Sequence, residues 1–285
     1  MKTYLLYNSK SNNRMGEQSA KKVKEIWKYK DFEKLDITSI NYPEFFAELN
    51  EDDEVVICGG DGTLNHLVND VDCNKINNDI YYYPAGTGND FWRDIGKDEN
   101  SAPEKINKYL VDLPIVKVKG KTKRFINGIG YGIDGYCCEE GDRLRQKNDK
   151  PINYTNIAIK GLLYKYKPAN ATVEVNGEKY FFKKCWLAPT MNGRFYGGGM
   201  MAAPGQDRLN PEHTVTTMVM NGAGKIKTLI AFPSIFEGKH VEKTKLVTTF
   251  TSKRVKVSFD RPVALQIDGE TVLNVSEYVV EAAKK

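Results

Sequence analysis

Apolar residues follow two different patterns along this chain. In the first 110 residues, short apolar runs alternate with segments in which apolar residues recur at helical spacing. The runs that predict strands are residues 3–7, 32–37, 54–58 and 80–83, and the segments that predict helices are residues 17–29, 43–49 and 64–71. Because strands and helices alternate, this part is predicted to be an α/β domain with a doubly wound parallel sheet.

From about residue 112 onward, strand patterns separated by turns dominate. The predicted strands are residues 115–118, 124–127, 171–175, 179–188, 214–220, 246–250, 255–259 and 263–267. Residues 154–166 and 225–236 predict helices, and Asn176-Gly177 is a strong hairpin signal because both residues tolerate positive φ angles. Many strands joined by turns are typical of a β-sandwich, so the second domain is predicted to be β-rich.

The two patterns divide the chain into an α/β domain over residues 1–113 and a β-rich domain over residues 114–273. The sequence leaves open whether the tail over residues 274–285 packs back on the first domain. With 285 residues, 40% of them hydrophobic, the chain can bury about three quarters of its unfolded surface. This composition excludes an intrinsically disordered protein and a collagen-like one.

Charge and cysteine content limit the binding partners and the cellular compartment that the sequence predicts. The excess of 42 Lys and Arg over 37 Asp and Glu gives a net charge of +5, and no basic-aromatic array predicts binding to nucleic acid. No apolar stretch approaches the roughly 20 residues of a membrane-spanning helix, and the apolar start is too short for a signal peptide. Five cysteines without metal-type spacing predict reduced thiols in a cytoplasmic protein.

The first motif with chemical content is GGDGTLN at residues 59–65, which follows a predicted strand and opens a helix. Glycines let the backbone approach a ligand closely, and a helix N-terminus offers N–H groups and partial positive charge to a phosphate. Asp61 would repel a phosphate unless a cation lay between them, so the segment predicts Mg²⁺ beside a triphosphate. The alternative is a strand-to-helix turn in which Asp61 is the N-cap.

A second glycine segment, PAGTGNDF at residues 84–91, also follows a strand and opens a helix. Loops that follow successive strands of a parallel sheet gather at the carboxyl edge, so the two segments are predicted to form opposite walls of one cleft. The alternative is ordinary capping of the following helix by Asn89 and Asp90.

Two shorter polar segments follow other predicted strands. Residues 8–12 (NSKSN) offer hydroxyls, N–H groups and Lys10 to phosphates, although a solvated loop fits this composition equally well. Near the C-terminus, Asp268 and Glu270 place two carboxylates around Gly269. Because Asp-Gly is also a common hairpin signal, a plain turn is the alternative at this position.

Taken together, these motifs resemble the diacylglycerol kinase catalytic family, the bacterial lipid kinases related to sphingosine kinases. The matching segments occur in the family's order and are residues 59–65, 84–91, 127–134 (NGIGYGID), 197–204 (GGGMMAAP) and 268–270 (DGE). The GGDGT segment is shared with NAD kinases, whereas GTGNDF after a strand is much more specific.

The resemblance implies an ATP- and Mg²⁺-dependent kinase that phosphorylates a hydroxyl of a diacylglycerol-like lipid. The implied active site lies in a cleft between the α/β domain and the β-sandwich. The residues that the resemblance assigns to ATP are Asn8, Ser9, Lys10, Ser11, Asn12, Thr38, Gly59, Gly60, Asp61, Gly62, Thr63, Asn65, Gly86 and Thr87.

The resemblance also implies roles for the acidic residues. Asp61 and Asp90 are expected to bind Mg²⁺, directly or through water. Glu270 is expected to be the general base for the lipid hydroxyl, with Asp61 as the rival for that role, and Asn89 and Asp134 are expected on the lipid side of the site. Phosphoryl transfer can use one carboxylate to bind the metal ion and another to accept the proton of the attacking hydroxyl.

Two other functions remain open from the sequence: a soluble-substrate kinase of the NAD kinase kind, and a non-enzymatic lipid or nucleotide binder. Asn210-Pro211 stands where many relatives carry Asp-Gly, which leaves a structural Mg²⁺ site there open. The basic, amphipathic residues 154–167 predict either peripheral contact with an anionic inner membrane face or a solvated helix face. A homodimer is also left open.

Overall fold

Two units account for the described part of the chain, residues 1–9, 16–147 and 152–283 of a computed structural model. They are Met1–Leu113 and Pro114–Lys285. The first unit contains a mainly parallel sheet with helices, and the second contains an antiparallel sheet. The predicted fold class is therefore confirmed.

The first unit is built on a five-stranded sheet with the strand order β2-β1-β3-β4-β5. Its strands are β1 (Thr3–Tyr7), β2 (Phe32–Asp36), β3 (Glu54–Gly59), β4 (Asp79–Pro84) and β5 (Glu104–Lys105). The first four run parallel, with Thr3 opposite both Phe32 and Glu54, whereas β5 is antiparallel to β4. All residues of β3 after Glu54 are buried, as expected of a central strand in a sheet covered on both faces.

The helices of the first unit pack around this sheet. They are α1 (Gly16–Ile26), α2 (Tyr42–Ala47), α3 (Asp61–Asp70), α4 (Asp90–Asp94) and α5 (Asn107–Leu110). On α1, Ala20 and Val23 join Leu5 and Val56 of the sheet in one apolar cluster. Helix α3 begins three residues before its predicted start because Gly60 caps it, so the glycine segment is part of the helix start.

The second unit contains a ten-stranded sheet among its described residues. Its strands are β6 (Ile115–Val118), β7 (Lys121–Arg124), β8 (Gly128–Tyr131), β9 (Ala169–Val175), β10 (Glu178–Cys185), β11 (Thr190–Met191), β12 (Val215–Met220), β13 (Val247–Ser252), β14 (Arg254–Ile267) and β15 (Glu270–Glu281). The order is β13-β12-β11-β8-β14-β15-β6-β7, and β9 joins β10 to β14. All of these pairs are antiparallel.

The core of the second unit is centred on β14 and its neighbours. The ring of Tyr131 stacks on Phe259 with centroids 3.9 Å apart, and its hydroxyl donates to the carbonyl of Val275 at 2.7 Å. The two predicted strands over residues 255–259 and 263–267 are one long strand, β14, with irregular pairing between Ser258 and Leu265.

Helices of the second unit are α6 (Ile133–Arg145), α7 (Tyr154–Lys160) and α8 (Lys225–Ala231), and a wide helical turn, Gly161–Lys165, continues α7. Helix α6 was not predicted from the sequence, because the glycines at and before its start were interpreted as turn residues. Yet Gly130 and Gly135 lie where a side chain would run into Asp134 and into the backbone of β14, respectively. No helix in the described part of the chain is long and apolar enough to cross a bilayer.

The bounds of β7 and of the tail differ from the sequence prediction. The strand predicted over residues 124–127 is β7, which ends at Arg124, because its hairpin with β6 is closed by the turn at Lys119 and Gly120. The segment taken as a tail begins within a strand: residues 274–281 belong to β15, which starts at Glu270 and pairs with β14 and β6.

Candidate functional site

The segment after β3 is a close-packed start of helix α3. Gly59 ends the strand, and Gly60 caps the helix by accepting the N–H of Thr63 at 2.9 Å. A side chain on Gly59 would overlap that of Thr63, so glycine is required there. The amide of Asn8 donates to the Thr63 hydroxyl at 3.1 Å, which ties the end of β1 to α3.

The two glycine segments touch each other. A Cβ on Gly86 would lie 2.8 Å from the Cα of Gly60, so the two backbones leave no room for side chains between them. The N–H of Ala85 and the hydroxyl of Tyr82 both donate to the carbonyl of Gly59, at 2.7 and 2.8 Å. The prediction placed these segments on opposite walls of a cleft; instead they form one continuous backbone surface at the carboxyl edge of the sheet.

Asp61 links the two segments with its carboxylate. Its two oxygens accept the backbone N–H groups of Asp90 and Phe91, both at 3.0 Å, so Asp61 caps helix α4 from the neighbouring loop. N–H bonds to a charged acceptor are stronger than neutral ones. Gly60, not Asp61, is therefore the N-cap of α3, whereas Asn89 does occupy the N-cap position of α4 and Asp61 supplies the side-chain bonds there.

Asn89 occupies the N-cap position of α4 without a side-chain bond to the helix. It adopts a left-handed backbone, with φ of 52°, and its side-chain oxygen accepts the N–H of Gly86 at 3.1 Å. This bond closes the second glycine segment on itself. Asn89 therefore shapes the loop, and its expected contact with a lipid stays a prediction.

The acidic residues of this surface differ in accessibility. Asp61 is half-buried, whereas Asp90 is only 4% exposed and lies 3.7 Å from the guanidinium of Arg93. Among the described residues, no group of three or more His, Cys, Asp and Glu side chains could hold a metal ion by itself. Mg²⁺ in phosphate sites commonly uses one or two carboxylates together with phosphate oxygens and water. Because Asp61 is more accessible to solvent than Asp90, Asp61 fits this mode better.

A cavity of about 550 Å³ lies within the first unit. Two predicted nucleotide residues, Asn8 and Thr38, line it, and the other lining residues are Ile37, Ile40, Asn41, Tyr42, Pro43, His66 and Asp70. Since Asn8 also holds Thr63, the cavity adjoins the start of α3. Polar and apolar groups contribute about equally to its lining.

Asp36 orders one side of this cavity and was missed from the sequence. Its carboxylate accepts the N–H of Thr38 at 3.0 Å and that of Ser9 at 3.5 Å, so it joins two predicted nucleotide residues. Burial acts to raise the pKa of Asp36, but the hydrogen bonds from Ser9 and Thr38 outweigh it and lower the pKa. A carboxylate held in its charged form fixes these two loop ends.

The other residues assigned to ATP divide into two groups. Thr63 and Asn65 are buried, at 2% and 1% exposed, so their side chains support α3 rather than line an open surface. Gly62 is partly exposed and Thr87 exposed, so both can be approached from solvent. Lys10, Ser11 and Asn12 lie outside the described residues.

In the second unit, Asp268 holds the turn between β14 and β15. Its carboxylate accepts three backbone N–H groups, those of Ile126 at 2.6 Å and of Asn127 and Gly128 at 2.9 Å. Asp268 and Gly269 both have positive φ angles, 45° and 92°, as in the favoured two-residue hairpin turns. The hairpin alternative is therefore correct for the Asp268-Gly269 pair.

Glu270 is the first residue of β15 and forms a different kind of contact. One carboxylate oxygen lies 2.6 Å from the ammonium of Lys123, and the two side chains are 29% and 36% exposed. Lys123 stands on β7, and the sequence analysis did not identify it. An acid that is bound by a partly exposed side chain can exchange that partner more easily than one bound by backbone.

Asp134 lies at the start of α6 and is buried at 6% exposed. Burial raises its pKa to about 7, and a hydrogen bond from the Tyr196 hydroxyl, 2.6 Å long, acts in the opposite direction. The carboxyl group has a partner inside the unit, so its expected contact with a lipid stays a prediction. Asn210 likewise serves its own loop, because its side-chain oxygen accepts the N–H of Thr214 at 2.8 Å.

Two family models match this chain, and each covers most of one of the two units. Residues 2–118 match the family model of the diacylglycerol kinase catalytic domain. Residues 127–281, more than half of the chain, match the YegS C-terminal NAD kinase beta sandwich-like domain. This chain belongs to the diacylglycerol kinase catalytic family.

Individual members of the family are distant from this chain. The "Putative lipid kinase YtlR" of Bacillus subtilis is 26% identical over 236 residues, which is 76% of this chain and 73% of that protein. A diacylglycerol kinase of Mycobacterium tuberculosis is 27% identical over 204 residues, 69% of this chain and 64% of that protein. These names support a lipid kinase family, and kinases are phosphotransferases that use a nucleotide.

Solved structures show the same fold. A "putative diacylglycerol kinase" from Bacillus anthracis superimposes with a TM-score of 0.69 and 19% identity, over 98% of this chain and 91% of that one. A second structure, of a diacylglycerol kinase from the same organism, gives a TM-score of 0.62 and 16% identity, over 99% and 94% of the two chains. The likeness concerns the arrangement of strands and helices only.

Proposed function

We propose that the protein is an ATP- and Mg²⁺-dependent kinase that phosphorylates a hydroxyl of a diacylglycerol-like lipid. The observation that carries the proposal is the joined backbone surface of the two glycine segments, held together by Asp61. Phosphoryl transfer depends mainly on positioning and on neutralising charge, and a rigid surface that begins a helix serves both needs.

The nucleotide part of the proposal is supported by the cavity beside α3. Its volume of about 550 Å³ is of the size that small-molecule ligands occupy. Asn8 and Thr38 supply polar groups, while Ile37 and Ile40 supply apolar walls suited to a base or ribose. We assign the nucleoside to this cavity and the phosphates to the glycine segments at Gly60 and Gly86, where the N-terminus of α3 favours negative charge.

Asp61 is the residue that we assign to Mg²⁺. Bound Mg²⁺ would neutralise charge on the phosphates. Asp61 fixes the start of α4 and is half-buried, so it can be approached from solvent, whereas the burial of Asp90 beside Arg93 argues for an indirect role of Asp90. The carboxylate therefore has two tasks, which must be separated by experiment.

Glu270 is the residue that we assign as general base for the acceptor hydroxyl. Its support is the family resemblance of the Asp268–Glu270 segment and its partner, the side chain of Lys123 at 2.6 Å. Asp268 is committed to the turn, because three backbone N–H groups donate to its carboxylate. Within this segment, we therefore assign the role of base to Glu270.

The test is transfer of labelled phosphate from γ-labelled ATP into a broad lipid extract, with and without Mg²⁺, followed by mass analysis of the labelled product. We expect label in a phosphorylated glycerolipid only when Mg²⁺ is present. A parallel reaction supplies NAD in place of the lipid extract, and label in NAD but not in lipid would establish the soluble-substrate alternative. Nucleotide-induced thermal stabilisation without transfer to any lipid would establish a binder that does not turn over.

A further inference from the structure

The loop over residues 206–214, which leads into β12, is closed by the side chain of Asn210. The Oδ1 of Asn210 accepts the backbone N–H of Thr214 at 2.8 Å and the hydroxyl of Thr214 at 3.1 Å. The Nδ2 donates to the backbone carbonyls of Asp207 at 2.6 Å and of Thr214 at 3.1 Å. A primary amide has two N–H donors and an oxygen with two lone pairs, so these four bonds use its full capacity.

The partners of this amide determine which way it points. A backbone N–H only donates and a backbone carbonyl only accepts, so the oxygen faces the N–H of Thr214 and the nitrogen faces the two carbonyls. The backbone N–H of Asn210 also donates to the carbonyl of Asp207, at 3.1 Å. The N–H groups of Asn210 therefore point at two carbonyl oxygens that share one amide nitrogen.

Gln206, at the start of the loop, binds the same two carbonyls. Its side chain is buried, and its Nε2 lies 2.8 Å from the carbonyl oxygen of Thr214 and 3.3 Å from those of Asp207 and Asn192. Its Oε1 accepts the hydroxyl of Thr216, on β12, at 2.7 Å. Two neutral amide groups thus converge on the carbonyl oxygens of Asp207 and Thr214.

Converging carbonyl oxygens together with a carboxylate are ligands that Mg²⁺ and Ca²⁺ prefer. The sequence left a structural Mg²⁺ site open at Asn210-Pro211. The residues present do not fit such an ion, because Asn210 carries no charge and its amide hydrogens point at the carbonyl oxygens that an ion would need. The nearby carboxylate of Asp207 accepts the N–H of Leu209 at 2.9 Å, within its own turn.

The loop also supports the Asp268 turn. The guanidinium of Arg208 donates to the side-chain oxygen of Asn127 at 3.1 Å and to the carbonyl of Ile126 at 3.4 Å. Asp268 accepts the backbone N–H groups of the same two residues. Closure of the loop therefore helps to hold the turn that precedes Glu270.

We propose that the amide of Asn210, assisted by Gln206, takes the place of a divalent cation in this loop. The amide N–H groups meet the carbonyl oxygens as an ion would, without adding a charge that needs a carboxylate beside it. The second unit is then closed at any Mg²⁺ concentration. In a step that rests on the proposed function, the Mg²⁺ requirement of phosphate transfer therefore belongs to the nucleotide alone.

The test is thermal unfolding of the purified full chain and of Asn210→Asp, in EDTA and across titrations of MgCl₂ and CaCl₂, without nucleotide or lipid. We expect the midpoint of Asn210→Asp to fall by about 4–8 °C in EDTA, since two carbonyls lose donors and meet a negative charge. Mg²⁺ or Ca²⁺ should restore at least about half of this loss, because the new carboxylate and the two carbonyls then bind the ion.

Two matched controls separate the lost donors from the added charge. Asn210→Ala removes the amide without adding a carboxylate, so its midpoint should fall in EDTA and neither ion should restore it. Asn176→Asp adds the same charge in the exposed turn between β9 and β10, and it should unfold like the parent in every condition. The parent should respond to the two ions no more than Asn210→Ala does.

Three results would overturn the proposal. A saturable, ion-induced rise in the parent's midpoint that Asn210→Ala abolishes would place an ion in the native loop. Parent-like unfolding of Asn210→Asp in EDTA would show that the amide does not close the loop, and a loss that neither ion restores would show that it does not stand where an ion can bind.

The comparison of the parent with Asn210→Ala decides the first of these outcomes even where Asn210→Asp does not fold. Because no phosphate transfer is measured, failure of this test leaves the proposed kinase function unaffected. Failure of the kinase assay likewise leaves the response of the loop to Mg²⁺ and Ca²⁺ unaffected.

Discussion

Asp61 and Asp268 are acidic residues in glycine-rich turns, and both bind backbone N–H groups of a second loop. Asp61 accepts two such groups, from residues 29 and 30 positions later, in the turn that follows the next strand of a parallel sheet. Asp268 accepts three, from residues 140 to 142 positions earlier, across an antiparallel sheet. The same kind of hydrogen bond thus joins residues about 30 positions apart in one unit and about 140 positions apart in the other.

The comparison shows that a carboxylate among glycines is in the first place a structural acceptor. Tight turns leave backbone N–H groups without partners, and an acidic side chain satisfies several of them at once. A chemical role must be added to this function. Asp61 is partly exposed, while next to Asp268 it is Glu270, which contacts the side chain of Lys123, that can change partners.

The largest loss of phosphate transfer is expected from Asp61→Ala. Loss of the carboxylate removes the proposed Mg²⁺ ligand and also leaves the N–H groups of Asp90 and Phe91 without this acceptor. We expect phosphate transfer to fall at least about 10³-fold, with a loss of about 1–2 kcal/mol in the free energy of unfolding. Transfer from labelled ATP and urea unfolding measure the two quantities.

Asp61→Asn separates the two tasks of this residue. The amide keeps the size and one oxygen acceptor, so stability should recover in part, while the negative charge for Mg²⁺ is lost. If activity recovers together with stability, Asp61 is only a cap and the metal assignment fails. Wild-type turnover in a folded Asp61→Ala protein would contradict both roles.

The second-largest loss of turnover is expected from Glu270→Gln. We expect turnover to fall about 10²–10⁴-fold, the range for a lost general base, while nucleotide affinity stays near that of the parent. A matched control is Glu281→Gln on the same strand, because Glu281 also pairs with a lysine, Lys117, at 2.8 Å. Steady-state kinetics and nucleotide titration check both variants, and a loss of only twofold in Glu270→Gln would move the base assignment to Asp61.

Much of the fold could be predicted because strands and their connections are local in sequence. Strands β1 and β6 have the predicted bounds, and the parallel sheet follows from the alternation of strands and helices. Helix α6 was missed because glycine has two uses that sequence alone does not distinguish. In turns it supplies positive φ angles, whereas Gly130 leaves room for Asp134, whose Cβ would lie 2.7 Å from an added side chain.

The sequence predicted only the part of the candidate site that is formed by loops after successive parallel strands. Since loops after successive parallel strands share an edge, the meeting of the two glycine segments could be expected. The pairing of Lys123 with Glu270, 147 residues apart, and of Tyr196 with Asp134, 62 apart, has no local signal, because each contact depends on the register of an antiparallel sheet or the path of a loop. Tertiary structure alone brings these residues together.

A further prediction concerns the stability of the Asp268 turn. Asp268→Ala should lower the free energy of unfolding by about 3 kcal/mol or more, because three N–H groups of residues 126–128 lose their acceptor at once. The effect should exceed that of Asp61→Ala, which removes two such bonds. Urea unfolding compares the two variants directly, and equal losses would mean that bond number does not set the difference between the two turns.

The smallest change in the free energy of unfolding is expected from Tyr196→Phe, which tests the role of the buried carboxyl group of Asp134. Burial holds the pKa of Asp134 at about 7, above its ordinary value of 3.8, so the folded state keeps a proton that the unfolded state releases. The stability that this proton gives is complete below about pH 4 and is lost as pH rises toward 7.

Removing the Tyr196 hydroxyl should raise the pKa of Asp134 further and lower the free energy of unfolding at pH 8 by about 1 kcal/mol more than at pH 5. Urea unfolding at both pH values checks this, with Asp134→Asn as the non-titrating control; parallel pH profiles for Tyr196→Phe and the parent would show that the hydroxyl does not act on the carboxyl group.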